Sequence, residues 1–148
     1  MKQLNKMKGK FRGALFQDNT FKFNDFDGLK LEKLIICENP ETNEVVIVYI
    51  KVENKEWHQF FLEAGYGFWQ NYEDIDPTDE ANSDDEYNYI DKGIEFGILD
   101  KRINRIWCEP HENNSQIIVE FETKEKLILK TIKPELFDTN SELIVVKS

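Results

Sequence analysis

The apolar residues of this chain come in short runs rich in Val, Ile, Phe and Tyr, separated by stretches that carry Pro and Asn. Runs of that length and composition match strands joined by turns better than helices of ordinary length. The pattern predicts strands over residues 10–16, 20–23, 29–37, 44–53, 56–63, 93–99, 101–109, 116–123, 126–132 and 142–147. The separators have turn chemistry. Glu38–Asn43 reads ENPETN and Pro110–Ser115 reads PHENNS, combining the preset φ of Pro with the left-handed tolerance of Asn. Asn54-Lys55 and Lys124-Glu125 are short enough to close hairpins.

Residue parity predicts which strands lie inside. In the run 44–53, Val46, Val48, Ile50 and Val52 fall on one face and Val45, Ile47 and Tyr49 on the other. A strand apolar on both faces is central and covered twice. Ile117, Val119 and Phe121 alternate instead with Glu120 and Glu122, which predicts one wet face, and Leu127 and Leu129 continue that pattern. Trp57, Phe60, Phe61 and Ala64 recur at helical spacing before Gly65, yet the same short run fits a strand.

A weak repeat favours the strand. Residues 33–54 and 104–125 align without a gap at an offset of 71, with Cys37/Cys108, Glu38/Glu109 and Val48/Val119 identical. Upstream, Gly13-Ala14-Leu15 resembles Gly97-Ile98-Leu99, each following a Lys-Gly pair. The expected fold is therefore mainly β: an antiparallel two-meander sandwich or twisted open barrel with minor helix, an internal duplication being one explanation for the repeat. A chain of 148 residues is one ordinary domain. Residues 1–10 are expected to be a flexible basic arm, and residues 73–91 a long acidic connection between the meanders.

Charge constrains the partners. The chain has 29 acids and 19 bases, a net of −10, and residues 13–148 alone carry −15. Such a surface repels phosphate backbones, which argues against direct nucleic-acid binding. It attracts a basic protein and speeds the encounter. The start, MKQLNKMKGKFRG, lacks the apolar core of a secretory signal, and no run reaches membrane-spanning length, so the expected location is cytoplasmic with no membrane contact. Cys37 and Cys108 sit in apolar runs and are expected as reduced, buried thiols.

The residues offer little catalytic chemistry. Asp74, Asp76, Asp79 and Glu80 supply oxygen ligands, but an EF-hand count from Asp74 places Asp79 where Gly is required. His58, His111, Cys37 and Cys108 lack zinc spacing. Cys108 and His111 are three apart among acids, which disfavour a thiolate. No phosphate loop, dinucleotide fingerprint or nucleophile elbow is present. No cofactor or metal is expected, and no enzymatic activity. The segment 65–91 is the candidate binding surface: Trp69, Tyr72, Tyr87 and Tyr89 flank the acids Asp74, Asp76, Asp79, Glu80, Asp84, Asp85 and Glu86. Aromatic anchors ringed by acids select a Lys/Arg-rich partner. The expectation is a small acidic binding protein that neutralises a basic protein partner, such as a toxin or nuclease, as immunity and antitoxin proteins do. The alternative is a small-molecule or carbohydrate-binding β domain with its site near Trp57, His58, Trp69 and Trp107.

Overall fold

The computed structural model describes residues 16–18, 20–63, 66–73, 77–80, 87–111, 114–131 and 141–146. The expected basic arm, residues 1–10, lies outside them. Among the described residues, eleven strands form two antiparallel sheets. The strands are β1 (Phe16–Asp18), β2 (Phe21–Phe23), β3 (Leu31–Glu38), β4 (Val45–Val52), β5 (Trp57–Glu63), β6 (Tyr66–Glu73), β7 (Asn88–Asp91), β8 (Ile103–His111), β9 (Asn114–Phe121), β10 (Lys126–Thr131) and β11 (Ser141–Val146). Two four-residue helices, α1 (Pro77–Glu80) and α2 (Gly93–Phe96), flank β7. The six-stranded sheet runs β1-β6-β5-β4-β3-β7, and the five-stranded sheet runs β11-β10-β9-β8-β2.

Each sheet is thus a four-strand meander with borrowed edges. The first meander is β3–β6 and the second β8–β11. The N-terminal strands split, with β1 joining β6 in one sheet and β2 joining β8 in the other. The two sheets close over one core. Leu34, Ile36, Val48, Ile50 and Phe60 come from the first, and Ile106, Cys108, Ile117, Val119, Phe121, Leu127 and Leu129 from the second. Burying side chains of this kind contributes about 1.5–3 kcal/mol each. Phe23 and Phe26 plug one end of the sandwich, edge to face at 4.9 Å. The mainly β, two-meander sandwich is as the parity predicts, and it is not a closed barrel.

Three expectations change. Residues 66–73, read as the start of a connection, are strand β6, paired with β5 from Trp57↔Glu73 to Glu63↔Tyr66. The span 73–91, read as connection, holds α1 and strand β7, which pairs with β3. The expected strand 93–99 is helix α2, ended by Gly97 at φ 68°. There Gly97 N–H donates to Ile94 O and Ile98 N–H to Gly93 O, a Schellman stop.

The two copies of the repeat are not equivalent in their first strands. Cys108 faces the core, whereas Cys37 faces the outer side of the first sheet, in a cluster with Ile35, Tyr49 and Trp57. Gly67 lies against Cys108: a Cβ at Gly67 would stand 2.5 Å from Cys108 Sγ and 3.0 Å from Phe21. Only glycine permits that approach of the sheets.

Candidate functional site

Adjacent hairpins of the first sheet separate at one end. β4 and β5 leave their shared turn and pair over three positions only: Ile50↔His58, Tyr49↔Gln59 and Val48↔Phe60. Beyond Val48 the strands part. Val45 and Ile47 stay paired with Glu38 and Cys37 of β3. Phe61–Glu63 stay paired with β6. Side-chain packing accounts for the split. Val46 and Ile47 pack on the Ile35–Cys37–Tyr49–Trp57 cluster, holding β4 to β3. Phe61 stacks flat on Phe68 at 4.8 Å, holding β5 to β6. The result is a fork whose prongs are the tips of the β3–β4 and β5–β6 hairpins. The cleft between them, about 230 Å³, is lined by Glu44–Ile47 on one wall and Phe61–Glu63 on the other.

The fork is acidic. Residues 34–50 and 58–72, the arms of the fork, hold four acids and no Lys or Arg. Glu38, Glu41 and Glu44 belong to the first tip and Glu63 to the second. Sheet register brings more groups to this end of the sandwich. Asp18 pairs with Gly67, and Asn88 with Glu38. Tyr66 and Tyr87, 42% and 39% exposed, stand beside these tips. Among the described residues, several ion-paired bases lie elsewhere. Lys51 pairs with Glu32, Arg102 with Glu53, and Lys101 with Glu125, all toward the opposite end of the strands. A molecule charged this way presents one face to an approaching cation.

The residues expected to bind a partner are distributed differently. Trp69 points into the sandwich, its ring 4.7 Å from Phe23. Tyr89 lies on the outer side of the first sheet, 6.2 Å from Tyr49. Tyr87 is exposed at the fork end. Tyr72 is in β6, and Asp79 and Glu80 are in α1, which packs against β7. Asp74, Asp76, Asp84, Asp85 and Glu86 lie outside the described residues. The fork acids Glu38, Glu41, Glu44 and Glu63 escape a search for dense acidic runs, because each is isolated in sequence and the register brings them together. The absence of bases over both segments is the signal that points to them.

The indoles do not converge. Trp57 is buried on the outer side of the first sheet, Trp69 faces inward, and Trp107 is on the outer side of the second. Arg105 stacks on Trp107 at 4.4 Å, and Trp107 Nε1 donates to Glu109 at 2.6 Å. With a second donor, Gln116 Nε2 at 2.8 Å, this bond holds the Glu109 carboxyl below its ordinary range. His58 sits among Phe23, Phe26 and Trp69, and its Nδ1–H donates to the Glu56 carbonyl at 3.2 Å. Burial lowers its pKa. Burial also pushes the Cys108 thiol up to about 11, beyond any nucleophilic role at neutral pH. Among the described residues no group of three or more His, Cys, Asp or Glu gathers to hold a metal, and no helix is long and apolar enough to cross a membrane. No family model, curated protein or solved structure matches the chain.

Proposed function

We propose that this domain is a cytoplasmic binding protein that neutralises a basic protein partner, in the manner of an immunity or antitoxin protein. The single observation that supports the reading is the forked end of the first sheet, where two hairpin tips carry acids and no base. Acids spread evenly over a surface confer solubility. Acids collected at one end give a directed field that steers an oppositely charged partner into one orientation. The partner's cationic surface is then covered by charge and by the bulk of the sandwich. No chemistry on the partner is needed for such an inhibitor.

The test is capture followed by kinetics. The protein and a variant with Glu38, Glu41, Glu44 and Glu63 changed to Gln are used as baits at low salt. A basic protein retained by the first and lost from the second supports the reading. That protein is then purified, and its association should slow as ionic strength rises. A partner retained equally by both baits, or only acidic and neutral partners, overturns it.

A further inference from the structure

Sheet edges are where one chain can pair with another, and most proteins blunt them. Three of the four edges here are short among the described residues. β1 and β2 have three residues each, and β7 has four, with Asn88 and Asp91 exposed at its ends. The fourth is different. β11 has six residues, Ser141–Val146, and pairs with β10 along its whole length without a bulge. It contains neither Pro nor Lys, and aliphatics run unbroken from Leu143 to Val146. Among the described residues no strand pairs with its other side. Alternate backbone groups on such an edge point outward and template another strand.

The edge is also a place where two copies of so acidic a chain meet with little repulsion. The chain carries −10, yet β10 and β11 together hold Lys126 and Lys130 against one acid, Glu142. The side-chain pattern is self-complementary. Leu143 and Val145 face the core beside Leu129 and Leu127, so Glu142, Ile144 and Val146 face out beside Lys130, Ile128 and Lys126. An antiparallel copy related by a two-fold axis at Ile144 sets Ile144 opposite Ile144, Leu143 opposite Val145 and Glu142 opposite Val146. On the core side, the row Leu129, Leu143 continues into the second copy's Val145 and Leu127. On the outer side, Ile128 and Ile144 meet their equivalents. Glu142 falls in one row with the second copy's Val146 and Lys126. An axis at Leu143 would instead set Glu142 against Ile144.

We propose that two copies of this chain pair antiparallel through β11, about a two-fold axis at Ile144, joining their five-stranded sheets into one. Backbone hydrogen bonds, aliphatic rows on both faces and the Glu142–Lys126 row hold the pair. A single strand pair buries little surface, so the equilibrium is expected in the micromolar to millimolar range. Salt screens the net charge of −10 and strengthens the dimer, the reverse of its effect on association with a basic partner.

The test is sedimentation equilibrium of the full chain from micromolar to millimolar concentration, at low and high salt. The average mass should rise from one chain toward two, and rise earlier at high salt. Ile144→Lys puts two ammonium groups at the axis and should weaken association by more than about tenfold. Circular dichroism checks that this variant keeps its fold. A second variant does not depend on that result. Ile144→Cys should form a disulfide-linked dimer under mild oxidation, because Cβ atoms of directly opposed residues lie about 4.5–5.5 Å apart. Ile94→Cys, at a position 80% exposed on α2, should not. A monomer throughout the range overturns the inference. So does a dimer that survives Ile144→Lys and leaves Ile144→Cys unlinked, or equal cross-linking of the two cysteine variants.

Discussion

The two meanders share a topology and differ in finish. In the second, β9 and β10 pair over five positions, from Glu120↔Lys126 to Gln116↔Lys130. In the first, the corresponding hairpin β4–β5 pairs over three and then opens. Their outer sides differ as well. The second carries a polar network: Asn104 Nδ2 and Arg105 Nε donate to Glu120 Oε1 at 2.7 and 3.0 Å, beside the Arg105–Trp107–Glu109 group. These bonds hold the Glu120 carboxyl below its ordinary range. The first carries the buried cluster Ile35, Cys37, Tyr49 and Trp57. Charge follows the same line. Residues 103–131 mix Arg105, Lys124, Lys126 and Lys130 with acids, whereas residues 34–50 carry acids alone. A meander whose ladders close and whose charges pair serves as scaffold. One whose ladder opens between like charges leaves strand edges that can receive something.

The largest test of this contrast uses the two outer tryptophans. Trp57 is 4% exposed within an apolar cluster, so Trp57→Ala should destabilise by about 3–5 kcal/mol. Trp107→Ala loses a partly buried ring and its Arg105 stack, for about 1 kcal/mol. Urea unfolding followed by circular dichroism measures both. Equal costs would erase the distinction between the outer sides.

Next in size is the contact between the sheets. Gly67→Ala drives a methyl into Cys108 Sγ and should cost about 1–3 kcal/mol. Cys108→Ala removes the obstructing sulfur, so the double variant should recover part of that loss. A strictly additive pair would mean that the sheets do not meet there.

The smallest effect is with pH. The folded protein keeps His58 neutral below its ordinary pKa of 6.5, while the unfolded chain takes up the proton. The unfolded state then binds more protons, so stability is full above that pH and falls as pH drops below it. The carboxyls of Glu109 and Glu120 are held low, so the stability they contribute is full above their ordinary value of 4.5 and is lost only as pH falls below it. Urea midpoints should therefore decline between about pH 7 and about pH 5.5, and His58→Phe should flatten that slope. An unchanged slope in the variant would assign the decline to another group.

Much of the sandwich is legible in the sequence, because parity reports burial directly. Val48 and Ile50 face the core and Tyr49 the outer cluster, as their alternation requires. Asn54 and Lys124 adopt φ of 61° and 77° in the two short hairpin turns anticipated from their sequences. Strand β6 escapes because its inward residues are Gly67, Trp69 and Asn71, two of them small or polar to admit Cys108 and the aromatic plug, so its pattern does not read as a buried strand. Helix α2 escapes because Gly-Ile-Glu-Phe alternates like a strand, and only the left-handed Gly97 marks the stop. The fork is not legible at all from local pattern. Val45–Ile47 and Phe61–Leu62 look like any paired hairpin, and their separation depends on which neighbour each packs against.

The central claim is that the acidic fork, and not acidity in general, recognises the basic partner. The direct measurement is the partner's association rate with two variants of equal charge, across a range of salt. One neutralises Glu38, Glu41, Glu44 and Glu63, and the other neutralises Glu32, Glu56, Glu95 and Glu122, exposed acids away from the fork. The account predicts association about tenfold slower, and a much flatter salt dependence, for the fork variant alone. Equal slowing of both variants would contradict it and return the charge to a general role in solubility.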